Sequence, residues 1–224
     1  MSSPSSPSSS TCPFCGIAKT YPPISPTAFI THNQTEQTNP PTESPSTTNP
    51  SLIASPGPSD PATHLILSTK HVLAFLDIMP LTRGHVLVIP RTHYEKLGDV
   101  DVRVSRELGQ WLPIISRVVM RIVLGEDNSS DWDWNVVQNN GIRAAQQVPH
   151  AHFHIIPRPS TDSAPGASRM SFVMFGRGQR EELDDEEGER LAGLLREELA
   201  REVVRIGEDL ELEDGDVGVR RGKL

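Results

Sequence analysis

Apolar and polar positions change character several times along this chain of 224 residues. From Leu65 the pattern is dense and short-ranged. Leu65 to Leu67 and Val72 to Leu76 predict two strands with Ser68 to Lys70 as the turn, and His85 to Pro90 predicts a third. A proline ends that third run because it has no ladder donor. The period then becomes helical. Leu108, Trp111, Leu112, Ile115, Val118, Val119 and Ile122 share one face of a helix of about 20 residues, with Asp101 as its N-cap. Pro113 lies inside that pattern and should kink the helix or mark its true start. Trp134 to Gln138 and His150 to Ile156 predict two more strands, pairing as a hairpin across a loop of about ten residues that Asn139-Asn140-Gly141 opens. A last helix is expected over 184–206, with Leu191, Leu195, Leu199 and Val203 on one stripe.

Composition separates these segments from their surroundings. Of the 20 prolines, 13 fall in the first 63 residues, among many Ser and Thr. Residues 1–11 read as a disordered Ser/Pro arm, and 25–63 as a long flexible insertion, because neither can bury enough surface to offset its ordering entropy. The expected organisation is one domain over 12–160 containing that insertion, then a C-terminal extension over 161–224. The net charge of −8 argues against a nucleic-acid partner. Much of it is the run Glu181 to Glu189, read as a solvated helix face. No apolar run is long enough to span a bilayer, and the N-terminus lacks the parts of a signal peptide. The expectation is an intracellular protein, cytoplasmic and in part nuclear, with no membrane partner.

Chemistry concentrates in His150-Ala151-His152-Phe153-His154. On a strand, alternation puts the three imidazoles on one face and the apolar residues on the other. Near neutral pH an imidazole can serve as nucleophile, base or metal ligand. One ion shared by all three is disfavoured, because positions i and i+4 lie roughly 13 Å apart on a straight strand. His85, at the head of an apolar strand, reads by itself as a satisfied core histidine. Cys12-Pro13-Phe14-Cys15 is, by itself, half a zinc site, a redox pair or two free thiols.

His150 to Ile156 matches the signature His-φ-His-φ-His-φ-φ, φ being apolar, of the histidine-triad (HIT) family. Phe75 to Ile78, Gly84 to His93, and Asn135 to Gly141 with Ala145 to Val148 are similar to three further blocks in that family's order. The resemblance covers Cys12 to Ile24 and Leu65 to Arg158, and its Hint-like branch fits best. It implies an α+β fold: an antiparallel sheet of about five strands, one long central helix and a C-terminal helix. Two protomers would join into a homodimer.

It also implies hydrolysis at the α-phosphate of an adenosine nucleotide, releasing AMP from a nucleotidyl-histidine on His152. His154, His85 and Gln147 would be its catalytic companions. Asp77, Ile78, Phe14, Ile17, Asn139, Gln147 and His154 would bind the purine nucleotide; Phe14 and Ile17 could equally be plain core. Some members hold a structural zinc at the positions of Cys12, Cys15, His93 and His150; no organic cofactor is implied. Gln147 stands where the amine-releasing branch often has a hydroxyl residue. His154 stands where a transferase branch has glutamine, which favours hydrolysis. The alternatives are a dinucleoside polyphosphate hydrolase and a nucleotide-binding interaction protein.

Overall fold

The computed structural model describes residues 12–29, 63–125, 132–159 and 180–216, with side chains to 207. The expected arm at 1–11 and residues 30–62 of the expected insertion lie outside these. Five strands form one antiparallel sheet: β1 (Leu65–Ser68), β2 (Val72–Leu76), β3 (Val86–Pro90), β4 (Asp133–Gln138) and β5 (Phe153–Arg158), in the order β1-β2-β3-β5-β4. Among the described residues there are three α-helices, α1 (Pro13–Thr20), α2 (Val102–Leu124) and α3 (Asp185–Asp216). The expected α+β fold is the observed one.

Residue parity along the strands decides which face each side chain joins. Val72, Ala74, Leu76, Val86, Val88 and Ile155 pack with α2 and α3 in one core. Leu73, Phe75, Leu87 and Ile89 point the other way and pack with Cys12, Phe14 and Cys15 around α1. β1 to β3 are buried throughout because both faces are covered, so they read as unbroken apolar runs. The register sets Leu87 opposite His154, and His154 opposite Val137, which places His154 on the α1 face.

α2 begins at its expected cap: the Asp101 side chain accepts from Val104 N–H. Pro113 does not mark its start. It sits on the exposed side, where water can reach the Gly109 carbonyl that the ring leaves without a partner. α3 is longer than the 184–206 expected; the acids of the run Glu181 to Glu189 are mostly exposed, as a solvated face requires, while the helix beyond them is packed. Leu191, Leu195 and Leu199 join the main core. Glu198 and Glu202 are buried against α2, where Arg121 Nη1 meets them at 2.5 and 3.2 Å and Arg117 Nε meets Glu202 at 2.9 Å. The start of the expected flexible insertion is also ordered: Pro26–Phe29 forms a 3-10 turn, with Arg196 of α3 stacked 5.8 Å over the Phe29 ring.

Arg91 fixes α1 to the sheet. Its guanidinium donates to the carbonyls of Ala18 (2.5 Å), Tyr21 (2.9 Å) and Thr69 (3.1 Å) and to Ser68 Oγ (2.5 Å). A short helix leaves several C-terminal carbonyls without intrahelical partners, and this side chain takes one of α1's, Ala18 O, together with that of the C-cap residue Tyr21. No helix among the described residues is long and apolar enough to cross a membrane.

Gly188, in the first turn of α3, lies so close to β1 that an added Cβ would fall 2.3 Å from His64 Nε2, in a side chain that is itself buried. Helical Gly→Ala normally stabilises by up to about 1 kcal/mol. That gain is expected at exposed Gly109, which has nothing within 4 Å of its Cβ position. Gly188→Ala should instead destabilise by roughly 1–3 kcal/mol. Urea titration of the two variants tests the contrast, and adding His64→Ala to Gly188→Ala should recover part of the loss.

Candidate active site

The loop from Asn139 to His152 carries two of the three histidines to the sheet. The last strand starts later than expected, at Phe153, so only His154 lies in the ladder. His150 and His152 stand just before it, where the backbone bonds to the Tyr94 carbonyl and the Gln146 amide take the place of strand pairing, and the His150 ring faces the N-terminal cysteines. The extended direction persists, and the rings of His152 and His154 are 4.9 Å apart. Gln146 shapes the loop: its Oε1 accepts from Gly141 N–H (2.5 Å) and its Nε2 donates to Glu95 O (2.7 Å). Gly141 takes a positive φ of 85°, which glycine adopts without a Cβ clash. Ala151 N–H donates to Tyr94 O (2.6 Å), tying the loop to the chain after β3.

The hydrogen bonds assign the imidazole protons. His152 Nδ1 lies 2.6 Å from the His150 carbonyl oxygen, which only accepts. Nδ1 therefore carries the proton, and Nε2 keeps its lone pair. Leu81 N–H only donates, and it donates to His85 Nδ1 (3.1 Å). Neutral His85 then has its proton on Nε2, which donates to His154 Nδ1 (3.0 Å). The proton of His154 is left on Nε2. A backbone amide thus fixes, through His85, a donor on His154 beside the free lone pair of His152.

Burial keeps these rings neutral. It pushes His85 down to about 3, helped by the neighbouring His154, and His154 down to about 4. His152 is also lowered by burial, against the opposing pull of the His150 carbonyl and of Asp77. The Asp77 carboxyl is raised by burial and accepts from Met79 N–H (2.9 Å). His85 Nδ1 is 3.4 Å from Asp77 Oδ2, but a neutral ring that already accepts from Leu81 makes no ion pair there.

The rings open on a cavity of about 790 Å³. Phe14, Ile17, Asp77, Ile78, Asn139, Gln147, His152 and His154 all line it, so the expected nucleotide residues converge on one space. His85 lies behind His154, itself buried. Phe14 is both core and wall: it sits edge-on to His150 (5.7 Å) and His152 (5.4 Å) and packs in the α1 cluster.

Beside this cavity Cys12, Cys15, His93 and His150 bring four donor atoms within 4.8 Å of one another. Cys12 Sγ is 3.4 Å from His150 Nδ1, and Cys15 Sγ is 3.3 Å from His93 Nδ1 and 3.7 Å from His150 Nδ1. A tetrahedral zinc site with ordinary bond lengths has sulfur–nitrogen edges of roughly 3.6 Å. His150 Nε2 donates to Pro90 O (2.8 Å), which leaves the Nδ1 lone pair facing the sulfurs. The cysteines are free, and burial beside Cys12 pushes the Cys15 thiol up to about 11. A dication would supply the charge that two buried thiolates need. These four residues fit a metal ion.

The chain is 37% identical over 122 residues to an uncharacterised HIT-like protein of Methanocaldococcus jannaschii, covering 54% of this chain and 83% of that one. The HIT domain profile matches residues 60–161. The chain belongs to the HIT family. An adenosine 5′-monophosphoramidase of Schizosaccharomyces pombe is 40% identical over 107 residues, 48% of this chain and 73% of the relative. A zinc-bound HIT protein of Mycobacterium smegmatis superimposes with a TM-score of 0.53 at 25% identity, over 87% of this chain and 96% of that one.

Arg180 also lines the cavity, outside the matched HIT segment. The sequence carries no signal for it. It lies in a stretch without apolar periodicity, and only the docking of α3 brings it to the pocket.

The depressed histidines make acid destabilising. Their folded-state values lie below the value near 6.5 of the unfolded chain, so stability is fully present above that pH and falls as pH drops toward 4. The melting temperature should fall by roughly 5 °C or more between pH 7 and pH 4. The slope should be shallower in His85→Asn, measured by circular dichroism.

Proposed function

We propose that this HIT protein hydrolyses a phosphoramidate or phosphoanhydride bond at the α-phosphate of an adenosine nucleotide and releases AMP. The observation that carries the reading is the fixed tautomer of His152. Its Nδ1–H is held by the His150 carbonyl, and its Nε2 lone pair is free in a cavity that pairs a carboxylate with neutral donors. The S. pombe relative, named for its phosphoramidase activity, supports the substrate class.

In the first step Nε2 of His152 bonds to the α-phosphorus while the bond to the leaving group breaks. The leaving group departs with the bond's electron pair and takes up a proton. The imidazole becomes cationic, and its Nδ1–H bond to the His150 carbonyl then becomes charge-assisted and stronger. In the second step water attacks phosphorus, gives up a proton, and AMP leaves with His152 restored. Splitting one displacement into two is the benefit of a covalent intermediate. His154 Nε2–H, Asn139 and Gln147 offer hydrogen bonds to the phosphoryl oxygens, where charge builds up in the transition state. Asp77 would accept from the ribose hydroxyls, with Phe14, Ile17 and Ile78 around the base.

The four-residue cluster suits zinc, and the M. smegmatis neighbour is zinc-bound. When bound, the ion supplies no chemistry to the reaction. It would anchor the His150 ring, and with it the carbonyl that orients His152. β4 is a sheet edge with Trp134 and Val136 exposed, which supports the expected homodimer.

Adenosine phosphoramidate and a diadenosine polyphosphate, incubated side by side with product identification, test the substrate class. AMP from the first is expected, and AMP from neither would defeat the proposal. His152→Ala should lower turnover by at least ~10³-fold and abolish any acid-labile adenylyl adduct, while the circular dichroism spectrum stays unchanged. Elemental analysis should find one zinc per chain. Cys12→Ser with Cys15→Ser should lose it and lower the melting temperature; full metal-free stability would remove the zinc assignment.

A further inference from the structure

The segment leading into α3 forms part of the pocket's rim. Leu183 N–H donates to Ile78 O (2.8 Å), and Arg180 Nη1 donates to Met79 O (3.3 Å). Arg180 is half-buried there and lines the cavity along with Asp77 and His154. Among the described residues it is the only Lys or Arg in that lining, and it makes no ion pair with any described carboxylate. A guanidinium has five donors and stays charged in proteins. The bond to Met79 uses one of them, so among the described residues the charge and most of the fork remain to be matched.

The rest of the cavity has the opposite shortage. His152 and His154 are neutral, Asn139 and Gln147 are neutral, and Asp77 is the only carboxylate in the lining. A bound phosphate would therefore meet hydrogen-bond donors but no full positive charge from the matched HIT segment. The charge of Arg180 acts on Asp77, where it favours the carboxylate, and on His85 and His154, where it opposes protonation. Its charge is thus felt on both sides of the space between Asp77 and His154. A 5′-phosphate on a ribose held by Asp77, presented to His152, occupies that same space.

We infer that Arg180 binds the 5′-phosphate of the nucleotide, as a substrate-binding cation delivered from outside the HIT segment by the chain that enters α3. The inference rests on the nucleotide reading above and adds to it the source of positive charge. It also gives the docking of α3 a functional consequence, since that helix holds residue 180 at the rim.

Calorimetric binding of AMP and of adenosine to the full chain, with Arg180→Gln and Arg180→Lys alongside, tests it. The unmodified protein should bind AMP more tightly than adenosine. Arg180→Gln should weaken AMP by ~10- to 100-fold and leave adenosine within about twofold, with Arg180→Lys between. Raising salt should weaken AMP binding less in Arg180→Gln than in the unmodified protein. If AMP binding is unchanged in Arg180→Gln, or adenosine weakens as much as AMP, Arg180 is only part of the wall and the inference falls alone. If the unmodified protein binds no AMP, the nucleotide reading falls and takes this one with it. An adenylyl adduct formed by Arg180→Gln at saturating substrate would show that the His152 chemistry stands apart from the role of Arg180.

Discussion

A carbonyl group organises the site. The oxygen of His150 holds His152 Nδ1–H at 2.6 Å, and so decides which nitrogen of the proposed nucleophile has a lone pair to offer. That carbonyl is itself fixed. The His150 ring is pinned by Pro90 O on one side and by the two cysteine sulfurs on the other, and Ala151 N–H is tied to Tyr94 O. Buried polar groups cost free energy unless they are paired. Among the described residues no buried side-chain nitrogen or oxygen lacks a partner. The alternative tautomers would each leave a buried group unmatched, so the assignment is a property of the packing and not of one residue.

A second chain of hydrogen bonds does the same for His154. It begins at a backbone amide, Leu81 N–H, passes through His85 and ends in a donor that faces the cavity. His85 explains how one residue can look like core and still belong to the site. It is almost wholly buried, as a satisfied core histidine would be, and its satisfaction is what aims its neighbour. Low local dielectric makes such a relay rigid, because any break strands a polar atom away from water.

The four-residue cluster that fits a metal ion and the proposed reaction centre share His150. Its ring faces the cysteines, while its backbone oxygen faces His152. α1 brings Cys12, Cys15 and Phe14 to this point, and Arg91 holds α1 through the carbonyls of Ala18 and of the C-cap residue Tyr21. The helix that positions the two cysteines is therefore fixed to the strand β3 and its turn, the element that also leads to His93. Loss of that anchor would loosen a cavity wall and the Cys12–Cys15 pair together.

The sequence by itself determined the strand and helix pattern, the face shared by the triad, and most of the pocket residues. The pattern and the face follow from periods of two and of about 3.6, whereas the pocket residues came from the resemblance of four sequence blocks to the HIT family. Three things were decided by the tertiary structure alone. Gln146 and the Tyr94 carbonyl bend His150 and His152 out of the ladder, so β5 begins at Phe153. Arg117 and Arg121 bury two glutamates of α3, which turns an acidic stripe into a packing surface. That packing in turn delivers Arg180 to the pocket. Each depends on partners tens of residues away, and local periodicity carries no information about a contact whose other half lies on a distant segment.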